Sequence, residues 1–146
     1  MNISKVRGVC AVAMLLCVAA ANAASLAPIS QVIAFGDSLS DTGNLYGLTG
    51  GALPPEPTYY QGRFSNGPVW IELLSSDLGV TLTNYAYGGA QTGSGNVNGA
   101  FPGLVEQVDE FQASLGSGSA DNGALYTVWA GSNNFCQTCF IPGVDD

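Results

Sequence analysis

Three short polar segments carry residue types able to transfer an acyl group. Ser38, in "GDSLSDTGN" (36–44), offers a hydroxyl. Gly89, in "YGGAQT" (87–92), offers a backbone N–H that no side chain screens. Asn133, in "AGSNNF" (130–135), offers a side-chain amide. A hydroxyl nucleophile beside several hydrogen-bond donors is the layout that attacks a carbonyl and holds the resulting oxyanion. Gly36 permits a tight turn ahead of Ser38, and the Asp37 carboxylate can accept from N–H groups of that turn. Each segment alone reads as an ordinary loop: Gly-Asp-Ser as a turn, Gly88-Gly89 as a breaker, Asn133-Asn134 as a turn pair. Their recurrence after successive strand-like runs is what points to chemistry. One part is absent. The sequence contains no histidine, and a serine without a base is a weak nucleophile.

The elements that must position these residues follow from the apolar pattern. "VIAF" (32–35) is a short apolar run bounded by Gly36 and reads as a buried strand. Residues 45–62, rich in Gly, Pro and Tyr, read as a long loop. Tyr46, Tyr59 and Tyr60 in it either line a substrate cleft or pack on the domain surface. "NGPVWIELLSSDLG" (66–79) reads as a helix capped by Asn66, with Pro68 early in its first turn. Its expected apolar face is Trp70, Leu73, Leu74 and Leu78. "TLTNYAY" (81–87) is a second strand. "GLVEQVDEFQASLG" (103–116) is a second helix with Leu104, Val108, Phe111 and Leu115 as its stripe. "ALYTVWAG" (124–131) is a third strand. Strands alternating with helices imply parallel pairing through crossovers, hence an α/β fold. Ligands of such sheets bind beyond the carboxyl ends of the strands. The three polar segments are therefore expected to converge.

The N-terminus reads as an export signal. Lys5 and Arg7 precede an apolar run from Gly8 to Ala21, and Ala21-Asn22-Ala23 fits a small-x-small cleavage site. The run is shorter than the ~20 residues that span a bilayer, which disfavours a membrane anchor. Leu16 disfavours a lipoprotein site at Cys17. The expected mature chain, 24–146, keeps Arg63 as its single basic residue against eleven acids. Such a balance opposes nucleic-acid binding, which needs several Lys or Arg contacts to phosphate. It opposes attraction to anionic membranes for the same reason. Cys136 and Cys139 cannot complete a four-ligand zinc site without histidine. In an exported protein they fit a small disulfide loop better than a pair of free thiols. No cofactor or metal is called for, and nothing in the sequence bears on oligomeric state.

Four segments in order resemble one family. "FGDSLSDTGN" (35–44) looks like the signature of the GDSL esterases and lipases, also called SGNH hydrolases. "GRFSNGPVWIELL" (62–74), "NYAYGGAQT" (84–92) and "VWAGSNNF" (128–135) resemble the segments that follow in its lipase-like branch. The resemblance implies a three-layer α/β/α sandwich on a parallel, flavodoxin-like sheet. It implies hydrolysis of small-molecule or lipid carboxylic esters through an acyl-enzyme. It matches Ser38 to the nucleophile, and the N–H groups of Ser38 and Gly89 with the Asn133 amide to the oxyanion hole. Asn134 stands where the family usually has Asp. The family's base, a histidine in a later Asp-x-x-His block, has no match here. The expectation is therefore a C-terminally incomplete domain, exported by its leader and inactive as it stands. A non-catalytic binding protein on the same fold is the alternative. No Gly-x-x-x-x-Gly-Lys or Gly-x-Gly-x-x-Gly supports a nucleotide binder, and no Gly-x-Ser-x-Gly elbow supports an α/β-hydrolase.

Overall fold

The computed structural model describes residues 28–135. The expected leader (1–23) and Cys136 and Cys139 lie outside the described residues. β1 (Gln31–Gly36) is the middle strand of a parallel sheet, flanked by β2 (Thr81–Asn84) and β3 (Leu125–Trp129). The register pairs Val32 with Leu82 on one side and with Leu125 on the other. Before β2 come α1 (Asn44–Leu48) and α2 (Trp70–Leu78); α3 (Leu104–Leu115) precedes β3, and α4 (Ser132–Phe135) follows it.

The first long crossover runs from β1 out to β2 and the second from β2 back past β1 to β3, in opposite directions, so helices following the right-handed rule must cover opposite faces. The packing agrees. Val32 and Ala34 of β1 are fully buried against Val69 and Ile71 at the start of α2. On the other face Phe35 stacks on Tyr85 at 5.4 Å and meets Phe111 of α3 edge-on at 5.7 Å. Side chains of a strand alternate between faces, and a β1 buried on both sides must read as a continuous apolar run. That is why "VIAF" shows no alternation.

Several expected details shift. The segment 45–62 is not all loop, because α1 forms within it, held by a carboxylate described below. α2 starts at Trp70, and Asn66 does not cap it. Glu72 does: its Oε2 accepts the Val69 N–H at 2.9 Å while Arg63 Nη2 donates to Oε1 at 2.7 Å. Burial raises the Glu72 pKa, but the Arg63 and Val69 hydrogen bonds outweigh it and hold the carboxyl below its ordinary value. The buried face of α2 is Ile71 and Ser75, with Leu73 and Leu78 exposed. On α3 the fully buried residue is polar, Gln107, and Val108 is exposed. β2 ends at Asn84, because the Asn84 side chain turns the backbone by accepting the Ala86 N–H at 2.8 Å. Among the described residues β3 is an edge strand, with Val128 and Trp129 open to solvent.

Candidate active site

β1 ends at Gly36, and the turn that follows carries Asp37 and Ser38. Gly36 has φ +152°, and a Cβ there would stand 2.3 Å from the Trp129 carbonyl oxygen. Only glycine lets β1 and β3 run this close while the chain turns. The turn closes through Ser40 and Asp41 N–H groups, both donating to the Asp37 carbonyl at 3.0 Å. The Asp37 carboxylate is fully buried. Its Oδ1 accepts the Leu39 N–H at 3.1 Å, as expected for an acceptor within its own turn. Its Oδ2 accepts the Ser132 hydroxyl at 3.1 Å, from the segment after β3. Ser38 is half-buried on top of this turn. Among the described residues nothing shares a hydrogen bond with its hydroxyl.

The second segment is tied to the first by Asp41. Its Oδ1 accepts from Gly43 N at 2.8 Å and Asn44 N at 2.6 Å, and its Oδ2 from Leu45 N at 3.2 Å and Gly88 N at 2.7 Å. The first three donors open α1, where a carboxylate satisfies otherwise orphan N–H groups. The fourth lies beside Gly89. Burial pushes the Asp41 carboxyl above its ordinary pKa, although the four N–H groups pull it down. Asn84 reinforces the tie, donating to the Ser40 carbonyl at 2.6 Å.

Gly89 has φ +79°, and a Cβ there would meet the Asn98 amide at 2.2 Å. Its carbonyl accepts from Val97 N at 3.0 Å. Among the described residues neither the Gly89 N–H nor the Ser38 N–H has an acceptor. Gly89 is buried, and a buried N–H without a partner is uncommon in a folded protein. Asn133 is nearly inaccessible, and its Nδ2 donates to the Ala90 carbonyl at 2.9 Å. That bond uses one amide hydrogen and leaves the second free for another acceptor. Next to it, Asn134 grips Thr92 twice: its Oδ1 accepts the Thr92 N–H and its Nδ2 donates to Thr92 Oγ1, both at 3.0 Å. The Asn134 amide is thus used as acceptor and donor together.

The three segments are hydrogen-bonded to one another at one end of the sheet: first to third through Asp37, first to second through Asp41, second to third through Asn133. This is the convergence expected from the strand pattern. Gln107 escaped sequence reasoning. Its fully buried carboxamide accepts the Gly36 N–H and donates to the Gly36 carbonyl, each at 2.8 Å. A polar residue inside an apolar helical stripe was the one signal available for it.

Two cavities lie away from Ser38. One of about 310 Å³ is lined by Glu56, Tyr59, Tyr60 and neighbours; another of about 250 Å³ sits beneath α3 between Tyr85, Phe111 and Asp121. Tyr46, on α1, packs over Gly51 and Gly62. Among the described residues no helix is long and apolar enough to cross a membrane.

The chain matches the family model of GDSL-like lipases and acylhydrolases over residues 32–145. It is 40% identical over 110 residues to a phosphatidylcholine-sterol acyltransferase of Aeromonas hydrophila, covering 73% of this chain and 33% of that protein. It is 36% identical over 118 residues to a thermolabile hemolysin of Vibrio parahaemolyticus, covering 78% of this chain and 28% of that protein. An acetylesterase of Thermothelomyces thermophilus is 33% identical over 129 residues, with coverage of 78% and 42%. The chain thus spans about a third of the length of these curated relatives.

Proposed function

The chain belongs to the GDSL-like lipase/acylhydrolase family, and on that premise we propose that it is the N-terminal part of an exported serine acylhydrolase acting on carboxylic esters. Ser38 Oγ attacks the ester carbonyl and passes its proton to a base. The developing oxyanion is held by the Ser38 and Gly89 N–H groups and the Asn133 amide. Collapse expels the alcohol and leaves an acyl group on Ser38, which water, or a second alcohol, then removes. The relatives include both an acetylesterase and an acyltransferase, so either acceptor suits the family. The observation that carries this reading is the pair of unpartnered N–H groups, at Ser38 and Gly89, in segments locked together with the half-used Asn133 amide. Donors fixed in advance cost no reorganisation when charge develops.

The base is not among these 146 residues, which contain no histidine. This chain alone therefore hydrolyses esters barely above background. We assign residues 1–23 to a cleaved leader and 24–146 to the hydrolase domain. Export suits a chain resembling a secreted effector protein of Salmonella, 39% identical over 93 residues. The test is fluorophosphonate labelling of the complete gene product. Labelling should map to Ser38 and vanish in Ser38→Ala. Labelling that persists at another serine overturns the assignment.

A further inference from the structure

β1 is paired on both sides for most of its length, but β2 leaves the sheet at Asn84, opposite Ala34. Gly36, two residues further on, therefore lacks a strand neighbour on that side. After Asn84 the chain bonds the Ala34 carbonyl through Tyr85 N at 2.8 Å and the Gly36 carbonyl through Tyr87 N at 3.2 Å, and neither bond serves the Gly36 N–H. The Gly36 N–H would be left buried and unpaired, a loss comparable to a missing hydrogen bond. Gln107, reaching down from α3, supplies what the strand does not. Its Oε1 takes the N–H and its Nε2 serves the carbonyl, both at 2.8 Å and both fully buried. A carboxamide reproduces the donor and acceptor of a neighbouring peptide. The sheet is in effect extended by one side chain, at the residue where β1 turns into Asp37 and Ser38.

We propose that Gln107 is a positioning residue for the nucleophile: its carboxamide fixes the peptide plane of Gly36 and so the direction in which the Asp37-Ser38 turn presents the hydroxyl and the Ser38 N–H. This rests on the reading of Ser38 as nucleophile. Gln107 touches no reacting atom. It acts through two backbone bonds on one side of Gly36, while Trp129 accepts the Asp37 N–H at 3.0 Å on the other. A nucleophile misplaced by about 1 Å can cost ~10²-fold in rate, so a loosened Gly36 should be felt in kcat rather than in substrate binding.

Two variants of the complete gene product test this. Gln107→Met keeps the length and loses both bonds. Gln107→Glu keeps both bonds only while protonated, because a carboxylic acid has one donor and an acceptor whereas a carboxylate accepts only. Folded fraction, kcat, KM and fluorophosphonate labelling rate are measured from about pH 5 to about pH 8. Per folded molecule, Gln107→Met should lose about tenfold or more in kcat and in labelling rate, with KM within about twofold. Gln107→Glu should approach wild type at the acid end and fall away as pH rises, a profile wild type does not share. Wild-type rates per folded molecule in both variants overturn the proposal. So do rates that drop only in step with the folded fraction, because Gln107 then holds the fold and not the turn. If Gln107→Met does not fold, the pH series of Gln107→Glu decides between the same outcomes. Wild-type labelling at a residue other than Ser38 sinks the nucleophile reading itself, whatever Gln107 does.

Discussion

The Ser132 hydroxyl donates to Asp37 Oδ2 at 3.1 Å, joining residues ninety-five positions apart. Each partner immediately precedes a candidate site residue, Ser38 in one case and Asn133 in the other. The bond therefore sets the spacing between the proposed nucleophile and the proposed oxyanion donor through two one-residue arms. Ser132→Ala should cost about 1.5–3 kcal/mol of stability, the net range for a hydrogen bond to a charged group. It should also lower kcat of the complete enzyme by less than Asn133→Ala does. Denaturant unfolding and steady-state kinetics check the two parts. An unchanged kcat would mean that the backbone alone sets the spacing.

Asn133→Ala should cut kcat by roughly 10²-fold or more, as removal of one oxyanion donor typically does. KM should move less, because the donor acts on charge that appears in the transition state. The same substitution frees the Ala90 carbonyl, so thermal stability should fall too. A large rise in KM with kcat preserved would make Asn133 a binding residue instead.

The parallel pairing and the convergence of the three segments were legible because they rest on apolar runs and glycine stops, whereas the strand order was implied only by the family resemblance. What was not legible depended on side chains satisfying distant backbone. Asn66 looked like a helix cap, but Glu72 took that role once Arg63 was beside it. α1 lay hidden in a stretch rich in glycine and proline, because its N-terminal donors are answered by Asp41, which lies before the helix and also bonds Gly88. Gln107 sat in an apolar stripe, where periodicity counts it as a defect. Its value appears only when β2 is seen to end two residues short of Gly36. Val128 and Trp129 are exposed on what is, among the described residues, an edge strand.

Gly36 and Gly47 should respond oppositely to alanine. At Gly36 the backbone is at φ +152° and a Cβ would press into the Trp129 carbonyl at 2.3 Å. Backbone strain of about 1–3 kcal/mol adds to that clash, so Gly36→Ala should unfold the chain or lower its melting temperature steeply. At Gly47, within α1, a Cβ meets nothing within 4 Å. Gly47→Ala should stabilise by up to about 1 kcal/mol, since alanine is the better helix former. Equal, small effects at both sites in thermal melts would contradict the close approach of β1 and β3.

Alkaline pH should loosen the loop that carries Gly89 through Tyr87. Burial, and then the Glu110 carboxylate beside it, push the Tyr87 phenol from 10.0 up to about 12, with Asp41 adding a smaller push. The hydroxyl donates to Glu110 Oε2 at 3.2 Å, binding the second segment to α3, the helix that also holds Gln107. The folded pKa lies above the unfolded one. The stability this proton contributes is therefore complete below about pH 10 and is lost as pH rises through about 12. Above that range a phenolate would face a carboxylate, and the two would repel. Tyr87→Phe removes the titrating group, so the variant should show a shallower loss of stability over the same window. The check is a difference between wild-type and Tyr87→Phe phenolate absorbance, with parallel denaturant melts at several alkaline pH values. A difference spectrum that titrates at the ordinary phenol value would place Tyr87 in solvent, free of Glu110, and would remove this link between α3 and the Gly88-Gly89 loop.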